Sequence, residues 1–201
     1  QINYQYIPAP FSIYKSICKL EAGSILKINL SYPYKLHKPK KYWILKEEIE
    51  ENSRNIKSFN IEEYTNNLEN LLEEIIQEQI IADVNVGTFL SGGIDSSLIT
   101  SLMQKISGKS VNTFSIGFNE RIYNEAISSE KIAKHLGTNH NSLYVTDKDA
   151  RDIVPEIPRI YDEPFSDISQ IPTIILCRKA KEKITVALTG DGGDELFGGY
   201  N

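Results

Sequence analysis

The chain has 201 residues, of which 40% are hydrophobic and 24% charged, and its net charge is −5 at pH 7. These proportions are typical of a folded globular protein and exclude intrinsic disorder, while the acidic balance argues against a nucleic-acid partner, which usually requires a basic surface. Because no apolar run is long enough to cross a bilayer and the N-terminus lacks the layout of a signal peptide, we expect a cytoplasmic protein without a membrane partner.

Residues 1–45 are rich in Pro and Tyr and contain short alternating stretches that predict β-structure. We interpret them as the end of an N-terminal domain, followed by a solvated linker at residues 46–58 and an α/β domain at residues 59–201. The chain lacks an initial Met and stops after a glycine-rich acidic segment, so we expect a fragment of a longer protein. Cys18 and Cys177 show no metal-ligand spacing, and we expect both to be buried thiols.

Strands and helices alternate in the predicted α/β domain. Apolar residues at three- and four-residue spacing predict a long helix over residues 61–82. Further helices are predicted at residues 96–106, 124–136, 150–160 and 172–183, and strands at residues 84–90, 111–118, 141–145 and 185–188. This order predicts a Rossmann-like parallel sheet with helices on both faces and ligands outside the carboxyl ends of the strands.

Residues 91–96, Ser-Gly-Gly-Ile-Asp-Ser, follow a predicted buried strand and lead into a helix. Two glycines and the N–H groups of a helix N-terminus form a pocket suited to phosphate, and Ser91 and Ser96 add hydroxyl donors. Asp95 would repel a polyphosphate unless a divalent cation lay between them, so we predict nucleotide and magnesium. The alternative is a simple strand-to-helix turn in which Asp95 or Ser96 caps the helix.

Residues 189–195, Thr-Gly-Asp-Gly-Gly-Asp-Glu, form a second glycine-rich acidic turn after a predicted strand. Because both turns lie at the same edge of the sheet, their carboxylates at positions 95, 191, 194 and 195 are expected to be close together. Magnesium accepts one or two protein carboxylates and takes further ligands from phosphates, and we assign Asp95 and Asp194 to it. The alternative is that Asp194 and Glu195 only begin a helix and interact with its dipole.

Four segments together resemble the synthetase domain of glutamine-hydrolysing asparagine synthetases. They are residues 91–96, 113–118 (Thr-Phe-Ser-Ile-Gly-Phe), 135–138 (His-Leu-Gly-Thr) and 188–200. The first of these motifs alone occurs throughout the ATP pyrophosphatase group. Residues 6–10, Tyr-Ile-Pro-Ala-Pro, are similar to the end of the family's N-terminal glutaminase domain.

The resemblance implies a reaction and a set of binding residues. The acceptor carboxylate attacks the α-phosphate of ATP, giving an acyl-adenylate and pyrophosphate, and ammonia from glutamine then displaces AMP. Asp191 takes the place of a glutamate proposed in the family as the base for the attacking ammonium. The resemblance further implies that residues 161–165, with Asp167 and residues 170–173, shape the acceptor pocket. The implied nucleotide-binding residues are Leu90, Ser91, Gly92, Gly93, Asp95, Ser96, Ile116, Gly117, Thr189 and Gly190.

Three functions remain open from the sequence. The first is an ATP-dependent ligase that makes asparagine from aspartate, ATP and glutamine-derived ammonia. The second is a relative that amidates another carboxylate, such as a sugar acid or a peptide, or closes a lactam. The third is a nucleotide-binding module without turnover, and we expect the isolated fragment to be inactive. A homodimer of the full-length protein is compatible with all three.

Overall fold

The computed structural model describes residues 4–33, 35–54, 60–118 and 125–200. The chain forms two compact units. The first consists of Gln1–Asn60 and Pro158–Asp167, and the second of Ile61–Ile157 and Ile168–Asn201. The predicted domain limits at residues 45 and 58 stay predictions, and part of the predicted linker, residues 55–59, lies outside the described residues.

The described residues before Ile61 in the first unit form short antiparallel strand pairs and a helix. Strand β1 (Ser24–Ile25) pairs with β4 (Lys40–Lys41), and β2 (Ile28–Asn29) pairs with β3 (Lys35–Leu36). Helix α1 (Leu45–Ser53) begins at the residue before the predicted linker, and its other residues lie within that linker. No residue of α1 is buried, which explains why the sequence lacks the apolar periodicity that predicts a helix.

Residues 158–167 belong to the first unit through contacts with its N-terminal residues. Lys19 forms an ion pair with Glu163. The hydroxyl of Tyr14 donates a hydrogen bond to the carbonyl oxygen of Asp162 at 3.2 Å. These contacts attach the segment that the resemblance assigns to the acceptor pocket to the first unit.

The second unit is built on a parallel sheet with strand order β7-β6-β5-β8. Its strands are β5 (Val86–Phe89), β6 (Asn112–Phe118), β7 (Asn139–Val145) and β8 (Val186–Leu188). The helices that follow α1 along the chain are α2 (Ile61–Gln79), α3 (Ile94–Ser107), α4 (Ala126–Leu136), α5 (Asp147–Ile153), α6 (Ile157–Ile160), α7 (Gln170–Ala180) and α8 (Gly193–Phe197). The predicted parallel α/β class is confirmed. None of the described helices is long and apolar enough to cross a membrane.

Both faces of the sheet are covered, as the strand and helix order predicts. On one face, Ile76 of α2 packs with Leu102 and Met103 of α3. On the other, Phe114 of β6 packs with Ala180 at the end of α7 and with Ile184. Strand residues alternate between these two clusters, which fixes the register of the sheet.

The predicted helix over residues 150–160 is the element that differs most from the structure. Helix α5 begins earlier, at Asp147, because Thr146 and Asp149 form a capping box. The prolines at 155 and 158 then divide the remaining residues between a 3-10 turn at Val154–Glu156 and the short helix α6. The predicted start of the preceding helix, Asn124, lies outside the described residues.

The prediction that both cysteines are buried is wrong, since Cys18 and Cys177 are exposed. Cys18 lies in the first unit and belongs to none of the described strands and helices. Cys177 follows Leu176, which packs against the sheet. Because successive helical residues are about 100° apart, the next side chain points away from the sheet.

The strand order creates a crevice beside β5. The chain passes from β5 to β6 and β7 on one side, and then returns to β8 on the other side of β5. In parallel α/β sheets, ligands bind outside the carboxyl ends of the strands at such a reversal. Residues 91–96 and 189–195 follow β5 and β8, so the fold brings both glycine-rich turns to this crevice.

Candidate nucleotide-binding site

The first turn, residues 91–96, is fixed by its own hydroxyl groups. Leu90 is fully buried, and its N–H donates to the carbonyl oxygen of Phe114 at 2.8 Å, which anchors the end of β5. The Ser91 and Ser96 hydroxyls lie 2.9 Å apart, and the N–H of Gly93 donates to the Ser91 hydroxyl at 3.2 Å. Both serine hydroxyls therefore maintain the shape of the turn.

Gly92 is required in the first turn for two reasons. Its φ of +91° lies in the left-handed region, which side chains rarely adopt. A Cβ at this position would also lie 2.9 Å from the Cβ of Ser128 and 3.1 Å from the N of Ser129 in α4. The turn therefore lies directly against α4, and the first N–H groups of α3 have no partner within their own helix.

The second turn, residues 189–195, has a similar internal hydrogen bond. The Thr189 hydroxyl donates to a carboxylate oxygen of Asp191 at 2.9 Å, and the N–H of Asp191 donates back to that hydroxyl at 3.3 Å. Helix α8 begins at Gly193, so Asp194 and Glu195 lie in its first turn, as in the alternative considered from the sequence. The Asp194 carbonyl accepts from the N–H of Gly198 at 2.9 Å.

The two turns are in van der Waals contact, as their shared sheet edge predicts. A Cβ on Gly190 would lie 2.7 Å from the N of Ser96 and 2.9 Å from the Cβ of Asp95. A Cβ on Gly193 would lie 2.6 Å from the Oδ2 atom of Asp95. The Asp95 carboxylate therefore lies against the residue that precedes Asp194.

A cavity of about 630 Å³ opens between the turns. This size is within the range of small-molecule sites. It is lined by eight of the residues predicted from the sequence: Ser91, Gly93, Asp95, Ser96, Thr189, Gly190, Asp191 and Asp194. The sequence thus predicted most of the polar lining.

A second cavity of about 130 Å³ adjoins the first at the carboxyl ends of β5 and β6. Leu90 and Ile116, which the resemblance assigns to the adenosine, both line it. The cavities share Phe89, Ser91, Thr173 and Leu176. Gly92 and Gly117 line neither of the two, because Gly92 lies against α4 and Gly117 is buried in β6.

The lining of the larger cavity is acidic. Asp95, Asp191 and Asp194 contribute carboxylates, and none of its described lining residues is Lys, Arg or His. A polyphosphate would be repelled here unless a cation were bound with it. In the described part of the chain, no three His, Cys, Asp or Glu side chains are grouped to hold a metal. Two carboxylates together with phosphate oxygens fit the way magnesium is bound in nucleotide sites.

Glu195 does not join the other carboxylates, in contrast to the expectation from the sequence. It is absent from the lining of the cavity, and it accepts a hydrogen bond from the Tyr200 hydroxyl at 2.9 Å. This hydrogen bond, together with the charge of Glu195, raises the pKa of Tyr200. The rotation between successive residues of α8 explains why Asp194 and Glu195 point in different directions.

The other lining residues were not predicted as nucleotide-binding: Phe89, Ile94, Thr173, Leu176, Gly193, Phe197 and Gly199. Thr173 and Leu176 are three residues apart on α7, so they lie on one face of that helix. The sequence shows that spacing. It does not show which face of the sheet α7 covers or how close α7 lies to β5.

The family model described as asparagine synthase matches residues 67–201. The chain belongs to this family. The match covers most of the second unit, including both glycine-rich turns and all the strands of its sheet. The resemblance that the four sequence motifs carry is thereby confirmed.

Curated relatives in the asparagine synthase family extend the similarity to the first unit. The chain is 36% identical over 203 residues to a putative glutamine-hydrolysing asparagine synthetase 2 of Methanocaldococcus jannaschii, which covers 97% of this chain and 36% of the relative. It is 31% identical to the glutamine-hydrolysing asparagine synthetase 1 of Bacillus subtilis, covering 100% of this chain and 30% of the relative. The chain therefore spans about a third of the length of these relatives.

Among solved structures, an NH3-dependent NAD synthetase from Campylobacter jejuni is 15% identical to the chain with a TM-score of 0.47. The similarity covers 68% of this chain and 60% of that protein.

Proposed function

We propose that this chain is the ATP-binding part of an amide-forming ligase that converts aspartate to asparagine, with AMP and pyrophosphate as by-products and glutamine as the source of ammonia. The observation that carries the proposal is the contact between the two turns. It places the N-terminus of α3 and the carboxylates of Asp95 and Asp194 around one cavity. Membership of the asparagine synthase family supports the choice of reaction.

The first turn suits the part of ATP that leaves. In our proposal, residues 91–96 bind the β- and γ-phosphates through backbone N–H groups at the N-terminus of α3. Asp95 and Asp194 would hold a magnesium ion, which when bound offsets the negative charge of the departing pyrophosphate. We further propose that Leu90 and Ile116 contact the adenosine and that Thr189 and Gly190 bind the nucleotide from the second turn.

The reaction consists of two displacements. A carboxylate oxygen of aspartate bonds to the α-phosphorus as the bond from that phosphorus to the α–β bridging oxygen breaks, and the electron pair leaves with pyrophosphate. The nitrogen of ammonia then bonds to the activated carbonyl carbon, and the C–O bond to AMP breaks. Asp191 accepts the proton that the nitrogen loses. Its carboxylate is exposed and oriented by the Thr189 hydroxyl.

Exchange of labelled pyrophosphate into ATP tests this proposal in the full-length protein that contains the chain. We expect exchange that depends on aspartate. Exchange only with another acid would favour the second function considered from the sequence. ATP binding without exchange for any acid would favour a module without turnover. Cytoplasmic location and a homodimer stay predictions from the sequence.

Substitution of the two proposed magnesium ligands makes the test specific. We expect Asp95→Asn or Asp194→Asn to reduce exchange at least about 100-fold, because the remaining carboxylate would hold the ion poorly. The circular dichroism spectrum should not change. Asp152→Asn is the matched control, since Asp152 is exposed on α5 and lines neither cavity. Full activity in either ligand variant would contradict the magnesium assignment.

A further inference from the structure

We infer that Thr173 of α7 binds the α-phosphate of the nucleotide, at the junction between the two cavities. The inference rests on the proposed function and adds a binding residue from the helix opposite the first turn. It assigns to the Thr173 hydroxyl a hydrogen bond to an oxygen of the phosphate group at which the proposed reaction occurs.

The position of the junction identifies the part of ATP that would occupy it. The smaller cavity contains Leu90 and Ile116, which we assign to the nucleoside. The larger one contains Asp95 and Asp194 and the N-terminus of α3, which we assign to the β- and γ-phosphates. In ATP the α-phosphate joins these two parts. It must therefore pass through the place where the cavities meet.

Four side chains define the junction, and two of them carry a hydroxyl group. Phe89 and Leu176 are apolar, whereas Ser91 and Thr173 can donate hydrogen bonds. Apolar neighbours reduce the local dielectric constant and strengthen a hydrogen bond to a charged oxygen. The junction thus combines hydroxyl donors with apolar neighbours, which suits the binding of a phosphate group.

Thr173 is the better donor of the two. The Ser91 hydroxyl already pairs with that of Ser96 and accepts from the N–H of Gly93. The Thr173 hydroxyl has no hydrogen-bond partner within the described part of the chain, although its backbone N–H donates to the carbonyl oxygen of Ser169, the N-cap residue of α7. Thr173 is exposed at the cavity surface, so its hydroxyl is free to donate to a ligand.

The affinities of the Thr173→Val variant for AMP and for adenosine show whether Thr173 contacts the phosphate or the nucleoside. Valine keeps the shape and removes the hydroxyl. We expect the AMP affinity to fall about 10- to 100-fold, the range for loss of one hydrogen bond to a charged group. Adenosine affinity should be unchanged, and Thr173→Ser should keep AMP affinity within about 3-fold. Thr185→Val, at the opposite end of the sheet, is the matched control.

The kinetics of pyrophosphate exchange show whether Thr173 binds the nucleotide or the acceptor carboxylate. In full-length protein, Thr173→Val should lower kcat/KM for ATP in pyrophosphate exchange and leave the KM for aspartate unchanged. Equal AMP affinity for Thr173→Val and the unchanged protein would overturn the inference alone, as would an effect confined to the KM for aspartate. Lack of AMP binding by the unchanged protein would contradict the proposed function as well.

Discussion

Gly190 and Gly193 place the second turn against the first because neither has a side chain. At both positions a Cβ would lie closer than 3.0 Å to atoms of Asp95, and for Gly190 these include backbone atoms. Backbone cannot move aside as the end of a flexible side chain does. The close approach of the two turns, which brings Asp95 near Asp194, therefore requires residues without a Cβ at positions 190 and 193.

Gly190→Ala should separate the two turns. We expect a loss of about 1–3 kcal/mol in the free energy of unfolding, the usual cost of overpacking, together with loss of exchange activity. Urea denaturation measures the first effect. Gly93→Ala is the control for folding, because Gly93 has a φ of −74° and its Cβ would have only the Ser91 hydroxyl nearby, at 3.4 Å. Equal destabilisation by both substitutions would contradict the steric cause.

At the scale of residues, the sequence predicted most of the polar residues that line the cavity but not the lining residues that only tertiary contacts bring there. Asp95 and Asp194 were predicted because a carboxylate beside a phosphate-binding turn needs a cation to offset its charge. Glu195 was expected to join them, but its direction depends on the rotation of α8 and on Tyr200. Gly193 has no chemistry of its own, and its role is apparent only from the space it leaves for Asp95.

Strands β6 and β7 are joined by a partly buried polar network in addition to their backbone hydrogen bonds. His140 of β7 pairs with the hydroxyl of Thr113 through Nδ1 at 2.8 Å and with that of Ser115 through Nε2 at 3.1 Å. Thr113 also pairs with the hydroxyl of Thr138 at 3.0 Å. Burial lowers the pKa of His140, and the charge of Glu130 in α4 opposes this in part.

This network should make stability depend on pH. The folded protein favours neutral His140, whereas the unfolded chain binds a proton near the ordinary pKa of 6.5. The free energy of unfolding should therefore decrease as the pH falls below 6.5 and level off, for this group, below the folded-state pKa. Denaturation curves at about pH 7.5 and about pH 5.5 measure the change. His140→Gln should remove the part of this decrease in unfolding free energy that is due to His140. If the variant shows the same pH dependence as the unchanged protein, His140 is not the cause of the decrease.

At the scale of elements, the sequence predicted those that bury a periodic apolar face. Helix α2 was predicted to start at Ile61 and does, because its apolar residues pack on α3. Helix α1 was missed because it has no buried residue to create a pattern. Helix α5 was placed too late because its start is set by the Thr146 and Asp149 side chains rather than by apolar spacing.

The site joins parts of the second unit that are distant in the chain, so a bound nucleotide should stabilise the whole unit. With magnesium and ATP at about 100 times the dissociation constant, we expect about 2.7 kcal/mol of stabilisation. For a protein of this size that corresponds to a rise in Tm of about 5–10 °C. Thermal unfolding at several ATP concentrations tests this, with Asp95→Asn as the comparison. A Tm that does not change with ATP concentration would contradict ATP binding by this unit.

The sequence predicted the class of the whole molecule but not its strand order. Alternation of strands and helices is enough to predict a parallel sheet. It does not determine on which side of β5 the last strand pairs, because that depends on how α7 packs against Phe114 and its neighbours. The order matters for function, since it is the pairing of β8 with β5 that brings the two turns together.

That pairing has a consequence for the order of events during synthesis. Strands β5 and β8 are neighbours in the sheet, yet they are separated by roughly 100 residues of chain. At ribosomal rates of about 5–20 residues per second, the first turn leaves the ribosome about 5–20 s before the strand that must pair beside it. Throughout this interval β5 is an unpaired edge on one side, and the newly made chain exposes the strand that later lies at the centre of its ligand site.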